Sequence, residues 1–256
     1  MKFASVRSNT PERALPKVPS PASAILVSLF VALGPGTMRA ALAQDAPAAA
    51  ANPKMVSLGG ERYQIGAIVV DRKARRLTLP ARVHVLDKPL EYLLTTKGGM
   101  KEYETLLETD VTGTEFNLAC ILLGLERDPT LEPYMQFSQK RVAGPRVEVT
   151  ITRKDGGREA TMKAGDVLFD TDAKAGEPVE WVYVGSQKHW QDGRFAADVT
   201  GTLIGFVHDP NTIIESALGL GIGAYGSVNG NAELLPPVGS DVELAVTVPE
   251  AGPAKK

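Results

Sequence analysis

The sequence predicts a β-rich α+β domain, built of mostly antiparallel sheet with one buried helix near 113–123 and one short helix near 210–216. Three observations carry this. Several runs alternate apolar and polar side chains with a period of two, which gives a strand one buried and one wet face. Turn signals separate these runs at short intervals, as in hairpins. Only two stretches have helix start signals, too few for the crossovers of a parallel sheet.

The chain has 256 residues, 43% hydrophobic and 23% charged, an ordinary globular composition. Residues 1–43 carry five basic side chains (Lys2, Arg7, Arg13, Lys17, Arg39) and one acid, Glu12. Beyond them the chain holds 23 basic and 29 acidic residues, a net of −6. A mildly acidic body without a basic, aromatic-laced stripe excludes nucleic acid as an expected partner.

Residues 1–43 read as a secretory signal. Basic residues come first, Ala22–Leu33 supplies an apolar stretch of the right length, and Ala41-Leu42-Ala43 fits an A-x-A cleavage pattern. The apolar run is shorter than the roughly 20 residues that span a bilayer. The expectation is an exported protein, periplasmic or secreted, whose mature chain starts at Gln44 and has no membrane span. Cys120 is the only cysteine, so no internal disulfide is available and cysteine-ligated clusters are excluded.

Residues 44–57 read as an Ala/Pro linker, 58–249 as one domain and 250–256 as a tail. Leu77, Leu79, Ala81, Val83 and Val85 alternate with polar neighbours and form a strand. Pro80 has no N–H for a ladder, so the strand is expected to lie at an edge or break there. Leu90–Thr96 is the next strand. Lys97-Gly98-Gly99 reads as a tight turn, followed by a strand over Tyr103–Thr109. Thr112 and Glu115 have capping-box spacing ahead of a run apolar on nearly every side, so the helix at 113–123 is buried. Residues 126–145, with Pro129, Pro133 and Pro145, form an irregular connection. Val147, Val149 and Ile151 start a strand that reverses at Asp155-Gly156-Gly157. Trp181–Val184 is another strand, followed by a polar loop to Gly193. Phe195–His208 reads as one or two strands around Gly201. Asp209 as N-cap with Pro210 behind it starts the short helix. Val242, Leu244, Val246 and Val248 close the chain as a strand.

In its order of elements the chain resembles the YdjY-domain family of exported bacterial proteins. The resemblance runs over about 58–249. It rests on VVDRKARRLTLPARV, LEYLLTTKGGMKEYETLL, the apolar helix ending LLGL, EWVYVGS and GTLIGFVHDPNTIIES. Similar members have a Lys-x-His-Glu-Ser-type stretch where this chain has Lys101-Glu102-Tyr103-Glu104-Thr105, so tyrosine and threonine replace the histidine and serine. The resemblance implies export, a single domain and interest in this turn. It carries no established activity.

No complete catalytic pattern stands out. Gly221–Gly226 reads G-x-G-x-x-G but lacks a strand before it and a helix after it, so no nucleotide cofactor is expected. Three widely spaced histidines, His84, His189 and His208, give no metal-ligand spacing. Of these, His189 beside Trp190 is the one placed in a possible contact loop. No G-x-S-x-G elbow surrounds a serine, and Cys120 falls in the most apolar helix, where a thiol is inert. The candidate ligand or partner site is therefore Lys97, Lys101, Tyr103, Glu104, Trp181, Ser186 and His189, with no catalytic, cofactor or metal residue assigned. The expected function is a non-enzymatic exported module that binds a small ligand or an envelope protein. The alternative is an extracytoplasmic hydrolase using the Lys97/Glu104 and Ser186/His189 regions.

Overall fold

The computed structural model describes residues 53–155, 158–176, 179–189, 191–219 and 226–250. Residues 1–52, 156–157, 177–178, 190, 220–225 and the tail from 251 lie outside it, and with them the signal, most of the linker, the Gly156-Gly157 reversal and all but the last residue of the G-x-G-x-x-G stretch. Residues 50–256 form one compact unit.

The main sheet closes on itself. Strand β4 (Arg76–Val83) pairs with β15 (Asp241–Thr247), and β15 with β7 (Arg146–Asp155). The order continues through β11 (Trp181–Tyr183), β13 (Ile214–Ser216), β12 (Thr202–Gly205), β5 (Tyr92–Thr96) and β6 (Thr105–Thr109). A β4–β6 pairing returns the sheet to its start and makes an eight-stranded barrel. The barrel is mixed: β12–β13 and β5–β6 are parallel, and the other neighbours are antiparallel.

A ribbon of β1 (Met55–Gly59), β2 (Arg62–Ile65) and β3 (Ile68–Asp71) extends from the first half of β4. Strand β8 (Arg158–Lys163) extends β7. A small second sheet joins β9 (Leu168–Asp170) to β10 (Ala175–Gly176) and β14 (Val228–Gly230). Ordered sheet thus begins at Met55, inside the stretch read as linker.

Pro80 neither breaks β4 nor places it at an edge. One side of β4 pairs with β15 throughout. On the other side, β3 pairs at Arg76–Thr78 and β6 takes over at Arg82 and Val83. Pro80 falls in the gap between the two partners, where its missing N–H leaves no ladder bond unmade. Its carbonyl accepts the Thr109 hydroxyl at 2.8 Å.

Helix α1 (Gly113–Leu122) forms as its capping box requires. The Thr112 hydroxyl accepts the Glu115 amide at 3.2 Å, and the Glu115 carboxylate accepts the Thr112 amide at 2.9 Å. Phe116, Ala119 and Cys120 are fully buried, and burial pushes the Cys120 thiol up, as a core cysteine requires.

The predicted helix at 210–216 is absent. Asp209 instead accepts the Asn211 amide at 3.0 Å and its side-chain amide at 2.8 Å, which makes an Asx turn. The β-branched Ile214 then opens β13, which enters the barrel between β11 and β12. A second helix, α2 (Ala196–Thr200), replaces the first part of the strand expected over Phe195–His208, and Gly201 ends it at φ 75°.

The turn at Lys97–Gly99 is not a hairpin. Strands β5 and β6 are parallel, with Tyr92 opposite Thr105, so residues 97–104 must carry the chain back along β5. A 3-10 turn at Glu102–Glu104 completes the return. Gly98 supplies the positive φ, 74°. Gly99 serves a different need, because a β-carbon there would come within 2.8 Å of the Thr96 carbonyl oxygen and 3.2 Å of the Gly201 α-carbon. Backbone cannot yield as a flexible side chain can. Gly99→Ala should therefore lower the unfolding free energy by about 2 kcal/mol in urea titration, the range of an overpacked core. Gly98→Ala, with open space but an unfavourable φ, should lose about 1 kcal/mol. Equal losses would mean that close approach is not the constraint at Gly99.

Candidate functional site

The parallel return of 97–104 brings Lys101 and Glu104 beside Glu91, the residue before β5. Glu91 and Glu104 are opposite one another in register, and the Glu91 amide donates to the Glu104 carbonyl at 2.9 Å. The Lys101 ammonium lies between the two carboxylates, 3.3 Å from Glu91 Oε2 and 3.0 Å from Glu104 Oε2. It also sits over the exposed Tyr103 ring, 5.6 Å from its centroid. Gln136 Nε2 reaches the same Glu91 oxygen at 3.4 Å.

Glu91 is 2% exposed. Burial raises its carboxyl to about 7, helped by the neighbouring Glu104 and opposed by Lys101. For Lys101, burial works against the charge, but the hydrogen bond to Glu104 and the two carboxylates outweigh it and hold the ammonium above its ordinary range. Two carboxylates thus share one cation, and Glu91 is the one whose proton is in play near neutrality.

A second cluster lies one residue along the strand. The Tyr92 hydroxyl donates to Asp209 Oδ2 at 2.9 Å. Glu215 is fully buried, and its Oε1 accepts the Asp209 amide at 2.7 Å and the Thr212 hydroxyl at 2.5 Å. The Tyr134 side chain also interacts with this carboxyl. Burial, with Asp209 nearby, raises the Glu215 carboxyl well above its usual range and keeps it neutral. His208 is also buried, which lowers its pKa and favours the neutral ring. Its Nε2 lies 2.9 Å from the Ser216 carbonyl and 2.8 Å from the Gly219 amide.

The irregular segment 126–145 straps this region down. Gln136 touches Glu91, the Phe137 amide donates to the His208 carbonyl at 3.1 Å, and Tyr134 meets the His208 ring edge to face at 5.6 Å. Arg127 donates to the Ser186 carbonyl at 2.6 Å, and the Val142 amide to the Ala217 carbonyl at 2.8 Å.

The sequence-predicted residues divide accordingly. Lys101, Tyr103 and Glu104 come together. Lys97 is exposed and lines a small pocket with Glu108 and Asp110. Trp181 is 4% exposed and belongs to the core. Ser186 is buried at φ 57°; its hydroxyl donates to the Asn211 carbonyl at 2.7 Å and accepts the Ala197 amide at 3.2 Å. Its lone proton is therefore given to backbone. His189 Nδ1 lies 3.1 Å from Asp192, which also binds Arg194. Glu91 and Glu215 escaped the sequence reading, in which Asp209 is only a helix N-cap. Their signal was a carboxylate inside an apolar run, LEYLL for Glu91 and TIIESALGL for Glu215, since such residues are almost never fully buried without partners.

A family model, the YdjY domain, matches residues 68–247. The chain belongs to the YdjY-domain family. The match covers β3 to β15 and hence the whole barrel, including the strap and both carboxylate clusters. No curated protein and no solved structure matches this YdjY-domain chain. Among the described residues, no helix is long and apolar enough to cross a membrane.

The raised Glu91 pKa makes stability depend on pH. Below about 4.5 Glu91 is protonated in both folded and unfolded chains. Between about 4.5 and 7 the folded chain holds a proton that the unfolded chain has released, so stability falls as pH rises through this window. A Glu91→Gln variant lacks this titration. Urea titrations at pH 4.5 and 7.5 should show the wild type losing about 3 kcal/mol more than Glu91→Gln across the interval, with one pKa unit being about 1.4 kcal/mol. Identical losses would place the Glu91 proton elsewhere.

Proposed function

We propose that this YdjY-domain protein is an exported, non-enzymatic binding module whose ligand lies on the barrel flank. The observation that carries this reading is a groove of about 890 Å³ over the β3–β4–β15–β7 wall. Thr78, Pro80 and Glu243 form part of its floor, and Leu235 and Pro236 form a side wall. Arg153 fixes that wall by donating to the Leu234 carbonyl at 2.8 Å. The volume is that of a small-molecule site, and the lining is mixed: Val69, Leu79 and Val242 lie beside the charged Arg153, Lys154, Glu233 and Glu243. An amphipathic small molecule or a short segment of an envelope protein fits this lining.

Export is supported by the basic start, apolar stretch and A-x-A pattern of residues 1–43. Mass spectrometry of protein recovered from the producing cell should find Gln44 as the first residue. Retention of Met1 would overturn that reading.

The alternative, an extracytoplasmic hydrolase, draws its support from Glu91, a carboxyl near neutrality beside a lysine. The groove is favoured because the Ser186 hydroxyl is given to Asn211, and because Lys97 lines a pocket with Glu108 and Asp110 while Glu104 binds Lys101.

Chemical-shift mapping on isotope-labelled mature protein, against defined metabolite and peptide libraries, tests the groove. Hits should move the amides of Thr78, Thr152 and Glu243. Thr78→Trp, which fills the groove from a half-buried position, should weaken them about tenfold or more while leaving the thermal midpoint within a few degrees. Hits that map to Glu91 and Lys101 would favour the hydrolase, and the absence of any hit would overturn the groove.

A further inference from the structure

We infer a divalent transition-metal site formed by His84, Glu102 and Glu108. One ligand atom from each lies within 4.8 Å of the other two, and all three residues are half-buried. His84 Nδ1 and Glu108 Oε2 are 3.4 Å apart. Two donors each about 2.1 Å from a tetrahedral ion stand roughly 3.4 Å apart, so this edge already has the spacing that zinc requires.

The three residues come from different parts of the chain and each is held by backbone. The His84 amide donates to the Leu106 carbonyl at 2.8 Å, beyond the end of β4. Glu108 lies in β6, opposite Arg82 of β4 and Thr95 of β5. Glu102 lies in the 3-10 turn, and its Oε2 accepts the Gly98 amide at 2.8 Å. That bond directs the carboxylate and leaves lone pairs for an ion. The fold therefore brings the ligands together before any metal arrives.

Charge balance points the same way. Two carboxylates and an imidazole gather here, while two of the neighbouring cations are engaged elsewhere. Lys101 is bound by Glu91 and Glu104, and Arg82 by Asp241 at 3.1 Å. Lys97 shares a pocket with Glu108 and is the competitor a metal would have to meet. One imidazole with two carboxylates selects a first-row transition ion over magnesium or calcium, which prefer all-oxygen sets. Three protein ligands leave a fourth position for water or a bound group.

Calorimetry and elemental analysis of tag-free mature protein with zinc chloride test the site. One zinc per chain is expected, with a raised thermal midpoint, and magnesium chloride should give neither. His84→Ala and the isosteric Glu108→Gln should each weaken uptake about tenfold or more, while His189→Ala should leave it unchanged. In the wild type, zinc should shift the ring signals of His84 and leave those of His189 and His208 in place, a readout independent of how well any variant folds. No stoichiometric uptake would overturn the site. So would uptake that survives His84→Ala with Glu108→Gln, or zinc-induced shifts confined to His189. The last two outcomes would leave an ordinary His84–Glu108 ion pair.

Discussion

The barrel depends on a short seam. Strands β4 and β6 meet only at Arg82 opposite Glu108 and Val83 opposite Leu107, extended by the His84 amide on Leu106 and the Thr109 hydroxyl on Pro80. Without it, β4 and β6 would both present open edges and the sheet would be a twisted layer with one wet face. Closure removes those edges and lets one set of side chains fill the interior. Leu79, Val83, Leu107 and Leu244 are each no more than 1% exposed because of it. The seam is possible because β3 stops pairing with β4 at Thr78, two residues before Pro80. A residue with an N–H in the gap would hold an unpaired donor; proline holds none.

The two buried glutamates show how differently one fold can accommodate a carboxyl. Glu215 is enclosed on every side, with one oxygen bonded twice and the Tyr134 hydroxyl beside the carboxyl. An ion there would lack solvation, so the neutral acid is the stable form. Glu91 is nearly as well covered, but its oxygen faces Lys101, whose side chain is 28% exposed, and the exposed Gln136. Its charged form is therefore partly stabilised and its proton has a path to water. Of the two, Glu91 is the one with a route to solvent beside its carboxylate.

What was legible in the sequence was local. Period-two alternation located β4, β7 and β15, and the Thr112–Glu115 spacing located α1 to within a residue of its observed end. What was not legible depended on partners distant in sequence. Asp-Pro begins a helix or an Asx turn with the same side-chain chemistry, an aspartate oxygen accepting an amide two residues on. Only the vacancy between β11 and β12 makes Ile214 a strand. Likewise the glycine pair at 98 and 99 resembles a hairpin tip, and nothing local says that β5 and β6 run parallel. The candidate site was half visible for this reason. Lys101 and Glu104 lie in one conspicuous polar turn, whereas Glu91 reaches them only through strand register.

That register also explains why residues 97–104 contribute to more than one polar cluster. A hairpin of this length would have placed its charges in water at the tip. A return along β5 instead lays the segment against the barrel, where each side chain must find a partner or remain at the rim. Lys101 and Glu104 turn toward Glu91, Glu102 toward His84 and Glu108, and Tyr103 between them stays exposed beside the Lys101 ammonium. The backbone has little slack in which to do this, because Gly99 is pressed against Gly201 and the Met100 amide is bonded to the Thr200 carbonyl. Lys101 and Glu102, adjacent in sequence, thus serve different clusters, one on each side of the same return segment.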